Sequence, residues 1–186
     1  QEGDMMGKKI LFVAGVYGVG KTTLCEVISQ SFNIPSFSAS ELISEKNNEV
    51  YGDNKYVKDS NRNQDILIEQ VNKINEDSFI LNGHFCLKAK NEKIILLEED
   101  VFNRLSLNMI LLLSADSYII KNNLFKRDNV YYDIEYIDNF LRNEDKQADR
   151  VSKLYDIPLI KYHMKFDGQD ANRVIKLLKN NWKGEN

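Results

Sequence analysis

An apolar run, Ile10-Leu11-Phe12-Val13-Ala14, ends in Gly15-Val16-Tyr17-Gly18-Val19-Gly20-Lys21-Thr22-Thr23, after which Leu24, Val27, Ile28 and Phe32 recur at helical spacing. Few architectures accommodate that order. The run reads as a buried strand and the spacing as an amphipathic helix. The glycines between them let the backbone turn so that successive N–H groups face one concavity. The first turn of the helix adds its unpaired N–H groups and the positive end of its dipole. Gly15, Gly18, Val19, Gly20, Lys21, Thr22 and Thr23 therefore form a candidate nest for a nucleoside triphosphate, with ATP as the expected ligand. Lys21 supplies a mobile cation for the β- and γ-phosphates, and the Thr22 hydroxyl is the hard oxygen that Mg²⁺ accepts. A glycine-rich turn that merely caps a helix would need neither the lysine nor the threonine.

A chain of 186 residues is the size of one domain and can bury a core without disulfide or metal staples. The formal net charge is −3 and no long Lys/Arg run occurs, which disfavours nucleic acid as a partner. No apolar run approaches the ~20 residues that span a membrane, so no membrane partner is expected. Cys25 and Cys86 belong to no CxxC pair and read as reduced thiols of a cytoplasmic protein. Neither they nor His163 shows metal-ligand spacing, so no structural zinc is expected. Gln1 to Asp4, ahead of Met5 and Met6, read as a cloning remnant; residues 5–186 read as the single domain.

Beyond the first helix, Ser36 to Ser38 predicts a short strand, and Glu41 to Tyr56 is polar with little periodicity. Leu67, Val71 and Ile74 mark a helix over about 62–74, and Ser78 to Asn82, closed by Gly83, marks a strand. A minor strand is expected over 93–97 and a short helix from Glu98-Glu99-Asp100 to Leu105. Leu107 to Leu113 is the most hydrophobic run, a buried parallel strand, and a helix follows from Asp116 to about Phe125. The pattern breaks over 126–133. A long helix is expected from Ile134 to Leu154, facing inward with Ile134, Ile137, Leu141, Ala148 and Val151. A last strand is placed over 157–160, and a closing helix runs from Asp170 to about Trp182. Short apolar strands alternating with helices predict an α/β chain with a parallel sheet covered on both faces, and the nucleotide at the strands' carboxyl ends.

These motifs resemble the nucleoside monophosphate kinases of P-loop fold, especially the archaeal-type adenylate kinases. Gly15 to Thr23 is similar to the family's GxxGxGKTT loop, and Phe37 to Ile43 to the segment that opens its monophosphate-binding region. Phe79-Ile80-Leu81-Asn82-Gly83-His84-Phe85 resembles the third strand and its following turn. Val101 to Leu105 with Leu107 to Leu113 resembles the helix and strand before the lid, and Lys126-Arg127-Asp128 stands where the lid carries phosphoryl-contacting arginines. The resemblance implies a three-layer P-loop NTPase fold with about five parallel strands, an acceptor-binding insertion at about 41–75 and a lid at about 126–136. It also implies phosphoryl transfer from ATP. The chain departs from the family at Asn82, where most members carry an acidic residue that helps hold Mg²⁺. It departs again at Ser44 and around His84 to Leu87, which lack the arginines that grip the monophosphate, and at Asn122 and Lys126 in the lid.

The expected function is ATP-dependent transfer to a nucleotide or related small acceptor, with Lys21 and Arg127 as catalytic cations that neutralise developing charge. Ser38, His84 and Arg142 are the candidates for contact with the acceptor. Each has a plain structural role beside the functional one: Ser38 and Ser40 as helix caps, His84 as a satisfied turn residue, Arg142 as a solvated helix residue. A Lys58-Asp59 pair could likewise serve the acceptor or simply face water. Tyr131, Tyr132 and Tyr136 could stack on a base or pack the long helix. Two other readings stay open: a kinase for a nucleoside, a metabolite hydroxyl or a nucleic-acid 5′ end, and a catalytically weak ATP-binding regulatory module.

Overall fold

The computed structural model describes residues 7–51, 60–89 and 93–182. Gln1 to Asp4 and the Lys58-Asp59 pair lie outside them. Five strands form one parallel sheet: β1 (Lys9–Ala14), β2 (Ser36–Ser38), β3 (Ser78–Gly83), β6 (Met109–Ser114) and β7 (Leu159–His163), in the order β2-β3-β1-β6-β7. β1, at the centre, is buried from Ile10 to Ala14, as a strand covered on both faces must be. Its register with β3 runs from Lys9 opposite Ser78 to Ala14 opposite Gly83, and with β6 from Leu11 opposite Met109 to Ala14 opposite Leu112. Ser38 pairs with Asn82 and Ser114 with His163, so the carboxyl ends of all five strands meet along one edge.

Around the sheet lie α1 (Lys21–Phe32), α2 (Ala39–Tyr51), α3 (Ser60–Lys73), α4 (Glu99–Leu105), α5 (Ser117–Asp128), α6 (Ile134–Tyr155) and α7 (Asp170–Asn181). The three-layer α/β arrangement expected from the alternating pattern is present. α2 is a regular helix where the sequence shows little periodicity: only Leu42 and Asn47 of its described side chains are buried, so it lacks the apolar stripe that advertises a helix. Cys86–Lys88 (β4) pairs antiparallel with Ile94–Leu96 (β5), a hairpin of which only the second strand is legible in sequence. The last strand, expected over 157–160, is displaced to Leu159–His163, because the Pro158 carbonyl already accepts from Ile110 and draws the following residues into the ladder. The helix expected to stop near Phe125 continues to Asp128, so Lys126, Arg127 and Asp128 occupy its last turn, and only residues 129–133 connect it to α6.

One carboxylate ties the end of the sheet to the last helix. Asp170, at the start of α7, accepts from the Tyr162 hydroxyl at 2.6 Å and from the main-chain N–H groups of Lys165 at 3.0 Å and Phe166 at 2.7 Å. Burial alone would raise its pKa, but these donors outweigh burial and hold it below the usual aspartate value. Asp170→Ala is expected to cost about 2–3 kcal/mol, the scale of lost hydrogen bonds to a charged group. The folded-state pKa is depressed, so this contribution is present above the unfolded value of 3.8 and fades as the pH falls through the folded one. Urea unfolding of wild type and variant at pH 7 and in the acid range should show the difference between them shrinking with acidification.

Candidate active site

Gly15 leaves β1 so close to β6 that a Cβ there would sit 2.8 Å from the Leu113 carbonyl oxygen, and at Gly18 (φ +83°) it would meet Leu124 at 2.9 Å. Glycine is required at both places by space, and at Gly18 also by its left-handed backbone. Gly20 caps α1 in a left-handed conformation with no side-chain capping bond, and no acidic residue stands in the first turn. The N–H groups that open α1 therefore face the loop's concavity and are available to an anion.

Lys21 folds over this concavity. Its Nζ donates to the Gly15 carbonyl at 2.6 Å and lies 3.2 Å from Nε2 of His84. Burial pushes the ammonium down to about 8, with the charge of Glu144 working in the opposite direction. His84 follows β3, and its ring lies 4.1 Å, centroid to centroid, from that of Tyr17. Its pKa is lowered because burial outweighs the hydrogen bond that the ring donates to Glu144, so the imidazole is neutral at pH 7.

Glu144, with 1% of its surface exposed, is central to this arrangement. From α6 it accepts from the N–H of Phe85 at 3.1 Å and of Cys86 at 3.2 Å, and lies 3.5 Å from His84 Nδ1. One turn on, Gln147 donates to the Leu97 carbonyl at 2.6 Å. α6 thus fixes the turn that carries His84. The cysteines take no part in this chemistry: burial pushes the Cys25 thiol up to about 12 and raises that of Cys86 as well, leaving both protonated.

On the opposite side, α5 packs on the loop. Asn123 donates to the Gly18 carbonyl at 3.0 Å, and Arg127, one turn later on the same face, projects into the mouth of the cleft. Asp128 holds its guanidinium in a bidentate pair, Nε to Oδ1 and Nη2 to Oδ2 both at 2.9 Å. A cleft of about 710 Å³ runs from here past Gly18, Gly20, Lys21, Thr22 and Thr23 to Ser38, Asn82 and His84. It ends between α2, α3 and α4.

Lys21, Thr22, Thr23, Ser38, His84 and Arg127, expected together from sequence, all line this one cleft. Ser38 and Ser40 hydrogen-bond one another at 2.9 Å. Arg142 does not join them: it is exposed on α6 and lines a separate groove with Glu135, Asp138 and Asn139. The reason is helical phase, since Glu144 takes the inward direction and a residue two positions earlier points about 200° away. Tyr136 packs its ring against Phe140, while Tyr131 stacks on Phe125 and stays exposed.

Sequence reasoning missed Glu144, Asn123, Gln64 and Phe166. Glu144 and Gln64 carried a usable signal, a polar residue in the apolar phase of its helix (Ile137, Phe140, then Ala148 and Val151; Leu67 and Val71). Phe166 gave none. It adopts a left-handed backbone without being glycine, and the Asp170 tether sets its ring beside Gly20.

Thr22 and the loop donors suit a polyphosphate that brings its own Mg²⁺; Asn82 offers an amide oxygen nearby but no charge. Among the described residues no group of three or more His, Cys, Asp or Glu could hold a metal by itself. No described helix is long and apolar enough to cross a membrane.

Strand order, glycine loop and cleft define a P-loop protein with the NTPase fold found in kinases. A family model described as an AAA domain matches residues 14–140, and the chain belongs to that family. Solved structures similar to it include shikimate kinase from Bacteroides thetaiotaomicron, at 13% identity over 95% of this chain and 99% of that one, TM-score 0.60. Gluconokinase from Sinorhizobium meliloti 1021 is similar at 13% identity over 96% and 97%, TM-score 0.57. Shikimate kinase from Acinetobacter baumannii in complex with shikimate is similar at 12% identity over 95% and 96%, TM-score 0.58. At such identities the likeness establishes fold and not substrate. No curated protein matches the chain in sequence.

Two measurements probe the site. A lysine whose pKa falls from 10.5 to about 8 on folding binds fewer protons folded than unfolded between those values. Its burial therefore weakens the fold below about pH 8, and that cost fades as the pH rises. An anion over Lys21 restores the charged form. ATP affinity is expected to fall by up to about tenfold per pH unit above pH 8, with proton uptake on binding that Lys21→Met abolishes, read by calorimetry in buffers of different ionisation enthalpy. Glu144→Ala leaves the N–H groups of Phe85 and Cys86 without their acceptor, and a loss of about 3–5 kcal/mol is expected in urea unfolding.

Proposed function

We propose that this protein is an ATP-dependent kinase that transfers the γ-phosphoryl group to a small-molecule acceptor. The observation that carries the reading is a single cleft lined by the glycine loop, Lys21 and Arg127 that continues past His84 to an end between α2, α3 and α4. Two cations flanking a nest of N–H groups suit a transition state whose charge is spread over the transferring oxygens. The kinase names of the similar folds, gluconokinase and shikimate kinase among them, support a small acceptor.

ATP would lie with its phosphates against the open N–H groups of α1, and Phe166 beside Gly20 offers an apolar face to the nucleotide. Lys21 would exchange the Gly15 carbonyl for phosphate oxygens, an exchange that burial favours because it pairs a desolvated cation with an anion. Thr22 would hold Mg²⁺ together with the phosphates, where the ion neutralises charge on their oxygens. His84, neutral and braced by Glu144, stands where an acceptor hydroxyl would enter and can accept its proton. Arg127, already held by Asp128, would steady the transferring group from the α5 side, and closure of the link at 129–133 would exclude water. Such transfer relies on positioning and electrostatics, so the neutral Asn82 is compatible with turnover.

A nucleotide acceptor, as in the adenylate kinases the sequence resembles, is the finer form this reading can take, in a magnesium-dependent cytoplasmic enzyme. Asn82 favours a second reading, an ATP-binding module with little turnover. In an assay of ADP formation across acceptors, Lys21→Ala and Arg127→Ala should each lower kcat/KM by about 10²-fold or more. Turnover near 1 s⁻¹, within the roughly 1–100 s⁻¹ usual for kinases, excludes the regulatory reading, and ATP binding without transfer to any acceptor excludes the kinase.

A further inference from the structure

The acceptor compartment differs in chemistry from the phosphate side. Among the described residues lining the cleft, Lys21 and Arg127 are the only cations, both beside the glycine loop, and no carboxylate lines it. The far end is walled by Ile43 of α2, Leu67 of α3 and Val101 and Phe102 of α4. Into this apolar end project two amides. Gln64 is only 8% exposed, faces the cleft and makes no hydrogen bond with any described residue. Asn63 beside it lines the same cleft and accepts at Oδ1 from Asn47 Nδ2 at 3.3 Å, which leaves its Nδ2 without a hydrogen bond to any described residue.

Gln64 opens onto the cleft, so its amide takes its partners from whatever fills that space. A phosphate or carboxylate brought against these apolar walls would lose hydration with no described cation to receive it. An amide offers a donor and an acceptor side by side, the pattern that matches the hydrogen-bonding edge of a heterocyclic base. Apolar walls suit the face of such a ring.

We propose that the acceptor is an uncharged nucleoside, its base edge read by Gln64 and Asn63 and its ring packed against the apolar walls at the far end of the cleft. The inference rests on the kinase reading above. In the step it implies, an acceptor hydroxyl oxygen forms a bond to the γ-phosphorus of ATP. The bond from that phosphorus to the β–γ bridging oxygen breaks with its electron pair leaving on ADP, and the hydroxyl proton passes to His84. The products are a nucleoside monophosphate and ADP.

The test uses the full chain with Mg-ATP and three sets of acceptors: adenosine, guanosine, cytidine, uridine and thymidine; their 5′-monophosphates; and the hydroxy acids shikimate and gluconate. At least one nucleoside should be phosphorylated with kcat/KM about tenfold or more above its own monophosphate and both acids. Gln64→Leu should raise KM for that nucleoside about tenfold while kcat and ATP affinity stay near wild type, a split that a merely structural residue would not produce. If Gln64→Leu does not fold, Gln64→Glu serves, with the same rise expected from a buried charge. Preference for a monophosphate or an acid overturns the proposal. So does failure to phosphorylate any nucleoside by a chain that binds ATP, and so does an unchanged KM in the folded variant. Failure to bind ATP at all would instead sink the kinase reading.

Discussion

The close approach of Gly15 to the Leu113 carbonyl is the constraint from which the site is built. Two central parallel strands, buried on both faces, end at the same level, and the chain can leave the first only by passing against the backbone of the second. A side chain at that point would push the loop off the sheet. With glycine there, the loop curls back and α1 begins with its N–H groups aimed at the space above the strands' ends. Lys21, in the first turn, is then carried over the same space.

Two helices from distant parts of the chain complete it from opposite sides. α5 contributes Asn123 to the loop's backbone and Arg127 to the cleft's mouth, one turn apart, so the contact that locates the helix also aims the guanidinium. α6 buries Glu144 against two main-chain N–H groups after β3, which sets His84 next to Lys21. A buried carboxylate with several donors is tolerable where a free one is not, and the same low-polarity setting that demands those donors depresses the pKa of Lys21 and His84. Charge beside the glycine loop is therefore sparse, desolvated and directional, while the described lining at the far end of the cleft carries amides and hydrocarbon.

Much of this was legible beforehand because the strongest patterns are local. Ile10 to Ala14, the glycine loop and the spacing of Leu24 and Ile28 specify strand, turn and helix within a single stretch, and Leu107 to Leu113 announces a strand buried on both faces. α2 was obscure because its described face buries only Leu42 and Asn47, and the β4–β5 hairpin because Cys86 to Lys88 runs on directly from β3. The end of α5 was misjudged because Lys126 and Arg127 are polar. They nonetheless extend the helix, as basic residues suit the negative end of its dipole.

The sequence by itself determined a parallel α/β chain and a glycine loop between its first strand and helix, and it named Lys21, Thr22 and Arg127 as candidates that the structure finds lining one cleft. Only the tertiary structure decided that Glu144 braces His84, that Arg142 faces elsewhere, that Phe166 stands beside Gly20 and that Gln64 lines the far end of the cleft without a hydrogen bond to any described residue. Those facts depend on helical phase and on contacts between residues far apart in the chain, such as Lys21 with His84, 63 positions away, and no local pattern encodes a direction in space.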